Sequence, residues 1–245
     1  YYIGNALHHV MRYRYAYKRE VMYGLTMEKD AGEPVGKRGF YPYDYLSGYV
    51  LLRPREKNWS FALGDYNVWS GNGLLLGRRI FSGRVVEARP TRNTLGAFRA
   101  HTSTDEADFF RGAVGAWRWK GIDIMAFASY RKVDARLSNA SSDTVTTLLQ
   151  SGLHRTLSEI EARRTMGNFT VGWHWGINQK HWGLATDGVW THFNKYVSPV
   201  KRWYNANYFR GQTARSLSAS YYIEFSKLYV QGDVSTDRNW HIATI

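Results

Sequence analysis

The stretch Asn168-Phe169-Thr170-Val171-Gly172-Trp173-His174-Trp175-Gly176-Ile177-Asn178 decides the fold. Phe169, Val171, Trp173, Trp175 and Ile177 fall on one side of an extended chain, and Asn168, Thr170, Gly172, His174, Gly176 and Asn178 fall on the other. A side-chain period of two belongs to a β-strand, because a helix would scatter those rings around its axis. The alternation recurs near the N-terminus, where Met11, Tyr13, Tyr15 and Tyr17 oppose Arg12, Arg14, Ala16 and Lys18. Val21, Tyr23, Leu25 and Met27 repeat it against Gly24, Thr26 and Glu28, so Lys18-Arg19-Glu20 reads as a tight hairpin turn. Leu217, Ala219, Tyr221, Ile223 and Phe225 face away from Ser216, Ser218, Ser220 and Glu224, with Tyr222 the one ring on the polar side.

Further strands are expected over 45–53, 58–69, 109–119, 122–133, 181–193, 215–225 and 227–236. Lys120-Gly121, Gln179-Lys180 and Ser226-Lys227 are short polar joints, whereas 30–43, 134–166 and 194–214 carry the Gly, Pro, Asn, Asp and Ser of long loops. Short and long connections alternate. That rhythm marks an antiparallel up-and-down transmembrane β-barrel, or a large part of one, and not a Greek-key sandwich. At about ten residues per strand the length supports roughly ten to twelve strands. They form a single β-barrel region over 1–245, with no internal boundary or linker.

The composition points the same way. The chain has 245 residues with 10 Trp, 18 Tyr and 11 Phe, yet its mean hydropathy is −0.47. Many rings without long apolar runs suit a wall in which every second residue meets lipid. No window approaches the ~18 to 20 apolar residues of a spanning helix. Cysteine is absent, which removes disulfides, thiolate metal sites and cysteine nucleophiles. The net charge of +13 is spread along the chain and is not gathered in one block. It suits a cationic lumen or contact with anionic headgroups, and no nucleic-acid partner is expected for these residues. Tyr1-Tyr2-Ile3-Gly4 lacks the basic and apolar regions of a signal peptide. An outer-membrane reading therefore expects a processed form or a fragment of a longer chain. Residues 239–245 read as mid-strand, so closure is expected to need further strands.

Few segments suggest chemistry. Ser70-Gly71-Asn72-Gly73 and Leu74-Leu75-Leu76-Gly77 lack the following helix and Lys-Ser/Thr pair of a phosphate loop, and Arg78-Arg79 come next, so a glycine bend is expected. Thr156-Leu157-Ser158-Glu159 has capping-box spacing, with Ile160 to Arg164 supplying a helical turn and Glu159 and Arg163 standing at i,i+4. It reads as a structured loop folded over a barrel mouth or as a docking element. The histidines at 8, 9, 101, 154, 174, 181, 192 and 241 show no metal-ligand spacing. No nucleophile elbow of the G-x-S-x-G type occurs.

Several segments in fixed order carry a family resemblance. They are Arg12-Tyr13-Arg14-Tyr15, Glu28-Lys29-Asp30-Ala31-Gly32-Glu33-Pro34, Leu63-Gly64-Asp65-Tyr66, Gly71-Asn72-Gly73-Leu74 and Arg111-Gly112-Ala113. Tyr130-Arg131-Lys132-Val133-Asp134-Ala135 and Gly152-Leu153-His154-Arg155-Thr156 with Ser158-Glu159 follow. In this order, over about residues 12 to 164, the chain resembles the large outer-membrane barrel proteins of Bacteroidetes known as helix-hairpin-helix domain-containing proteins. After residue 164 only the strand rhythm is similar. The resemblance implies a location and a fold, and it carries no catalytic residues. The family's small helical repeats, which elsewhere bind DNA backbones, have no counterpart in these residues. Gly71-Asn72-Gly73 stands where the family has Gly-Gln-Gly.

The expectation is a non-enzymatic protein of the bacterial outer membrane, acting as a channel or as a structural subunit of an envelope assembly. Its expected partners are outer-membrane lipid and lipopolysaccharide, with other envelope proteins. Arg12, Arg14, Lys18, Glu28 and His174 are lumen candidates. Tyr13, Tyr15, Tyr17, Phe169, Trp173, Trp175 and Tyr221 are lipid or interface candidates, and His154, Arg155, Thr156 and Glu159 are partner-loop candidates. No catalytic, cofactor-binding or metal residue is singled out. The competing readings are a secreted β-sandwich that binds carbohydrate through exposed rings, and a barrel-borne hydrolase with Ser, His and Asp gathered at one rim.

Overall fold

The computed structural model describes residues 1–35, 43–71, 73–77, 96–138, 141–206, 208–226, 228–237 and 242–244. Its elements in chain order are β1 (His9–Tyr17), β2 (Val21–Lys29), β3 (Tyr45–Leu52), β4 (Trp59–Trp69), β5 (Ala97–Ala100), β6 (Phe110–Trp119) and β7 (Ile122–Val133). Then come β8 (Ala135–Ser138), β9 (Ser141–Leu148), α1 (Leu157–Ala162), β10 (Met166–Asn178) and β11 (Trp182–Val197). A 3₁₀ turn (Trp203–Asn205) precedes β12 (Gly211–Phe225), β13 (Leu228–Asp237) and β14 (Ile242–Thr244). The fold is nearly all β.

One sheet runs β1-β2-β3-β4-β6-β7-β10-β11-β12-β13-β14, every step antiparallel, so chain neighbours are sheet neighbours apart from short excursions. Among the described residues the sheet is not closed, and β1 and β14 are its edges. The short joints at 18–20, 53–58, 120–121, 179–181 and 226–227 share one end, here called the turn end. The long connections share the other, the loop end. Lys18 and Arg19 both have positive φ (49° and 59°), as do Lys120 and Gly121 (46° and 86°). Two left-handed residues in a row match the right-handed twist of flanking strands, which is why these joints are so tight.

Three expectations need correction. The stretch 134–166 contains the β8–β9 hairpin, and β9 adds in parallel to the far end of β11 at Tyr196 and Val197. Its Ser- and Thr-rich sequence has no apolar alternation, so nothing local announces it. The loop 194–214 shrinks to 198–210, because β11 and β12 run on past the alternating residues. β5 was not anticipated, and it pairs with β4 beyond Gly64, where the β3–β4 ladder ends. Lys227, Asn72, Arg78-Arg79, residues 36–42 of the first long loop and 238–241 lie outside the described residues.

The sheet must be strongly curled. The Ser70 hydroxyl, one residue past β4, lies 2.9 Å from His174 of β10, three strands away, and a Cβ on Gly71 would touch Asp233 of β13, six strands away. At about 4.8 Å per strand, a flat sheet would hold β13 roughly 29 Å from β4. Two residues span only about 7 Å. Curling wraps the inner face around the segment that follows β4, where Gly71 and Gly73 have positive φ, as a bend requires. An apolar cluster forms there from Leu51, Ala62, Tyr66, Val68, Phe98, Val114, Met125 and Phe127 of the sheet with Leu76 of the segment after β4. A smaller cluster of Ala135, Val145, Met166 and Val197 seats the β8–β9 hairpin.

Glycines shape the curl where strands crowd. Gly64 has φ +98°, and a Cβ there would stand against the Gly48 carbonyl oxygen, with the Tyr49 Cα only 2.9 Å away. Gly115 is different, since its nearest neighbour would be a Phe61 ring atom at 3.8 Å. Gly64→Ala is therefore expected to cost about 1 to 2 kcal/mol from the left-handed backbone alone and more from the Gly48 contact, and Gly115→Ala to cost little. Urea titration of the folded protein should separate the two, and equal midpoints would show that this backbone contact is misplaced.

Candidate functional site

Three surfaces need explaining, namely the outer face, the inner face and the loop end. Residues paired across strands point to the same side, so the ladders extend one face from strand to strand. On the outer face stand all seven ring residues picked for lipid or interface contact. Tyr13 is 53% exposed, Trp173 44% and Tyr221 40%, and Tyr15, Tyr17, Phe169 and Trp175 are similarly open. Leu25, Leu63, Trp117, Ile124, Leu184 and Ile223 continue the apolar surface between them. Rings also touch, as in Tyr15–Tyr23 (5.0 Å) and Phe169–Trp190 (5.8 Å). Water-soluble monomers rarely expose a contiguous apolar patch beyond a few hundred Å², and this one runs from β1 to β13.

The inner face is largely buried, and beside its apolar cluster it carries paired charges. Arg111 donates from Nε and Nη2 to the two oxygens of Asp65 (2.7 and 2.8 Å), a fork fixed further by the Gly48 amide. Arg118 meets Asp123 at 3.1 Å. His174, 1% exposed, lies 2.7 Å from Asp187 through Nδ1 and 3.4 Å from Asp123 through Nε2. Ser218 donates to the other Asp187 oxygen at 3.1 Å. Ser70 contacts the same Nδ1, and the Gly96 amide donates to Asp123 at 2.9 Å. Ser70 is thus tied to β10, and Gly96 to β7 and β10.

Ser70, His174 and Asp187 are the three residue types of a hydrolytic triad, brought together from distant sequence. Their geometry is not that of a triad. A triad sets serine on one ring nitrogen and carboxylate on the other, whereas here both address Nδ1 and Nε2 faces a second carboxylate. The arrangement anchors a segment by paired charges.

Glu28 and His174 lie on the inner face as expected, and both are buried. Arg12 and Arg14 share that face with Thr26 and Gly24 but remain exposed, because β1 is an edge. Arg14 reaches the Thr102 carbonyl at 3.3 Å. Lys18 does not line the interior. The strand ends at Tyr17, and the Lys18 ammonium sits over the Tyr17 ring in the hairpin turn.

No family model, curated protein or solved structure matches this chain. Its chemistry has to be read from its own residues.

At the loop end, His154 is the hub of a buried ionic cluster. Its Nδ1 bonds Asp44, its Nε2 bonds Asp134 at 2.9 Å, and its amide donates to Glu33 at 2.9 Å. The Arg163 guanidinium lies beside the Asp44 carboxylate, and the Arg164 amide donates to Asp134 at 2.7 Å. Four separate connections are thereby pinned together. This corrects the partner-loop role of His154, which is 3% exposed and already engaged. Thr156 and Glu159 form the expected capping box, with Glu159 Oε2 accepting from the Arg155 and Thr156 amides at 2.8 and 2.9 Å. The i,i+4 partner of Glu159 is Arg155, not Arg163, which turns inward to Asp44. Arg155 also covers the Tyr2 ring.

Among the described residues, two groups of three donors could hold a cation, Glu33–Asp44–His154 and His8–Glu28–Asp30. The first already has the Arg163 guanidinium in place of an ion. Pairing there shifts protonation. Burial opposes charge on His154, but the hydrogen bonds to Asp134 and Asp44 outweigh it and push its pKa up to about 9. Burial pushes Glu106 up to about 9, with the Asp44 charge adding to it. Asp134, despite its burial, is held below the usual carboxylate range by His154 and the Arg164 amide.

Both raised groups bind protons in the folded state that the unfolded chain would have released. The His154 contribution is present below its ordinary value of 6.5 and is lost as pH rises toward about 9. Glu106 adds a loss of the same sign from 4.5 to about 9. Amide exchange, corrected for its intrinsic pH dependence, should show protection of 149–164 falling between pH 6.5 and 9.5 while β10 holds. Asp134→Asn should bring that loss to neutral pH. Constant protection of 149–164 across the range would refute the assignment.

Proposed function

We propose that the chain is wall and plug of a β-barrel in the bacterial outer membrane, serving as a structural subunit of an envelope assembly, without enzymatic activity. The observation that carries this reading is the inverted sheet, with rings and aliphatics outward and ion pairs inward. Hydrocarbon is the surrounding in which that outer face is stable, and a closed ladder of main-chain hydrogen bonds is what hydrocarbon demands. On β12 the outward residues Leu217, Ala219, Tyr221, Ile223 and Phe225 cover roughly 27 Å of strand. Tilted by about 40°, that projects to about 21 Å, close to the ~25 Å apolar band of outer-membrane barrels. Arg215, outward at the loop end of β12 beside Trp190 and His192, suits headgroup height.

A structural role is favoured over a channel because the described interior is occupied. Leu76 packs into the apolar cluster under the sheet, and the His174 network holds Ser70 and Gly96 in place. The family resemblance supports the location. Its quoted segments supply both partners of the Asp65–Arg111 and Asp134–His154 pairs, so the residues that carry it are those that lock interior and loop end.

A charge placed on the outer face should decide the matter. Tyr221→Arg is expected to lower folding stability in vesicles by about 2 to 4 kcal/mol, and Thr213→Arg, on the same face near the loop end and paired with His192, by about 1 or less. Recovery of the native chain as a monomer soluble without detergent would sink the proposal. Rapid solute flux through liposomes containing it would sink the plugged variant alone.

A further inference from the structure

The β1–β2 ladder ends on Val10 opposite Glu28 and His9 opposite Lys29. One step further along the same strands stand His8 and Asp30. Because side chains alternate, His8, Glu28 and Asp30 share a face, with Asp30 across from His8 and Glu28 diagonal to it. His8 Nε2 lies 3.0 Å from Glu28 Oε1 and 3.6 Å from Asp30 Oδ1. One donor atom from each residue lies within 4.8 Å of the other two. The neighbouring Lys29 ammonium donates to the carbonyls of Leu7 (2.7 Å) and Asp30 (2.9 Å). It therefore ties residue 7 to residue 30 and sets His8 against the two carboxylates.

We propose that His8, Glu28 and Asp30 form a binding site for a divalent transition-metal ion at the loop end of the β1–β2 hairpin. One imidazole and two carboxylates make a nitrogen and oxygen donor set of the kind zinc, manganese and iron(II) accept. Metal–ligand bonds of about 2.0–2.2 Å place adjacent donors roughly 2.9–3.5 Å apart in octahedral or tetrahedral geometry. The His8–Glu28 separation of 3.0 Å falls inside that range and the His8–Asp30 separation of 3.6 Å about 0.1 Å beyond it, so small side-chain adjustments bring the donors into position. Two carboxylates two residues apart on one strand face repel each other, and one imidazole carries at most a single positive charge. A dication balances both. Glu28 is buried and Asp30 half-buried while His8 is exposed, which leaves a route from solvent and free coordination positions for water. The ion would staple the segment before β1 to the end of β2 in a chain without cysteine. The site does not depend on what surrounds the outer face of the sheet.

The test is calorimetric titration of the purified, chelator-stripped full chain with zinc and with manganese. His8→Ala, Glu28→Gln, Asp30→Asn and the control His181→Ala are titrated alongside. One ion should bind per chain for at least one of the two metals. Affinity should fall roughly tenfold or more in each of the three site variants and stay unchanged in His181→Ala. Tryptophan emission and gel migration identical to the parent establish that a variant is folded. Should His8→Ala misfold, the near-isosteric Glu28→Gln carries the comparison. Absence of binding by the native chain for both metals, or binding that all three site variants retain, overturns the site.

Discussion

Everything in this protein depends on a main chain that satisfies its own hydrogen bonds across a long antiparallel ladder. Once N–H and C=O groups are paired strand to strand, the backbone no longer requires water on either face. The two faces are then free to take opposite chemistry. In a water-soluble β-protein the apolar face is the inner one. Here it is the outer, with Trp173 and Tyr221 open, while Asp65, Asp123 and Asp187 lie inside. A buried carboxylate is costly unless it is matched, and each of these has a cation or hydroxyl in direct contact.

That inversion explains the interior. A curled sheet with charges on its concave side cannot collapse on itself, because collapse would force unlike environments together. The inward segment resolves this by offering both kinds of surface. Leu76 meets the apolar patch around Met125, and Ser70 and the Gly96 amide meet the charged patch around His174. Paired charges also give direction, since hydrogen bonds to Asp123 and Asp187 fix where the segment lies in a way that apolar contact alone would not.

The strands were legible in the sequence because their signal is local. Each outward ring in 168–178 or 215–225 is two residues from the next, and the ladder needs nothing more to place it. The turns were legible for the same reason, although Lys18-Arg19 adopts left-handed geometry without the glycine or asparagine that usually announces it. What sequence could not reveal was which charge meets which. Asp65 and Arg111 are 46 residues apart, and His154 and Asp44 are 110 apart. No periodicity links such pairs. The capping box of Thr156 and Glu159 was readable, yet the position of α1 is set by Arg163 reaching Asp44, a contact that the i,i+4 rule assigned elsewhere. His8 and Asp30 escaped notice because their relation exists only once the β1–β2 register is known.

The direction of the two edges constrains how the sheet can be completed. Ten antiparallel steps separate β1 from β14, so both run from the loop end to the turn end. Joining them directly would create a parallel ladder. A second copy with the same orientation in a membrane brings the same problem, since it too would set β1 beside a β14 running the same way. On the barrel reading proposed above, an antiparallel ring that includes these eleven strands therefore holds an odd number besides them. Both faces of β1 are exposed, Arg12 and Arg14 included, as befits an edge strand. Pairing there would cover the inner face of β1 and bring its arginines into the same enclosed surroundings as Glu28 and Asp65.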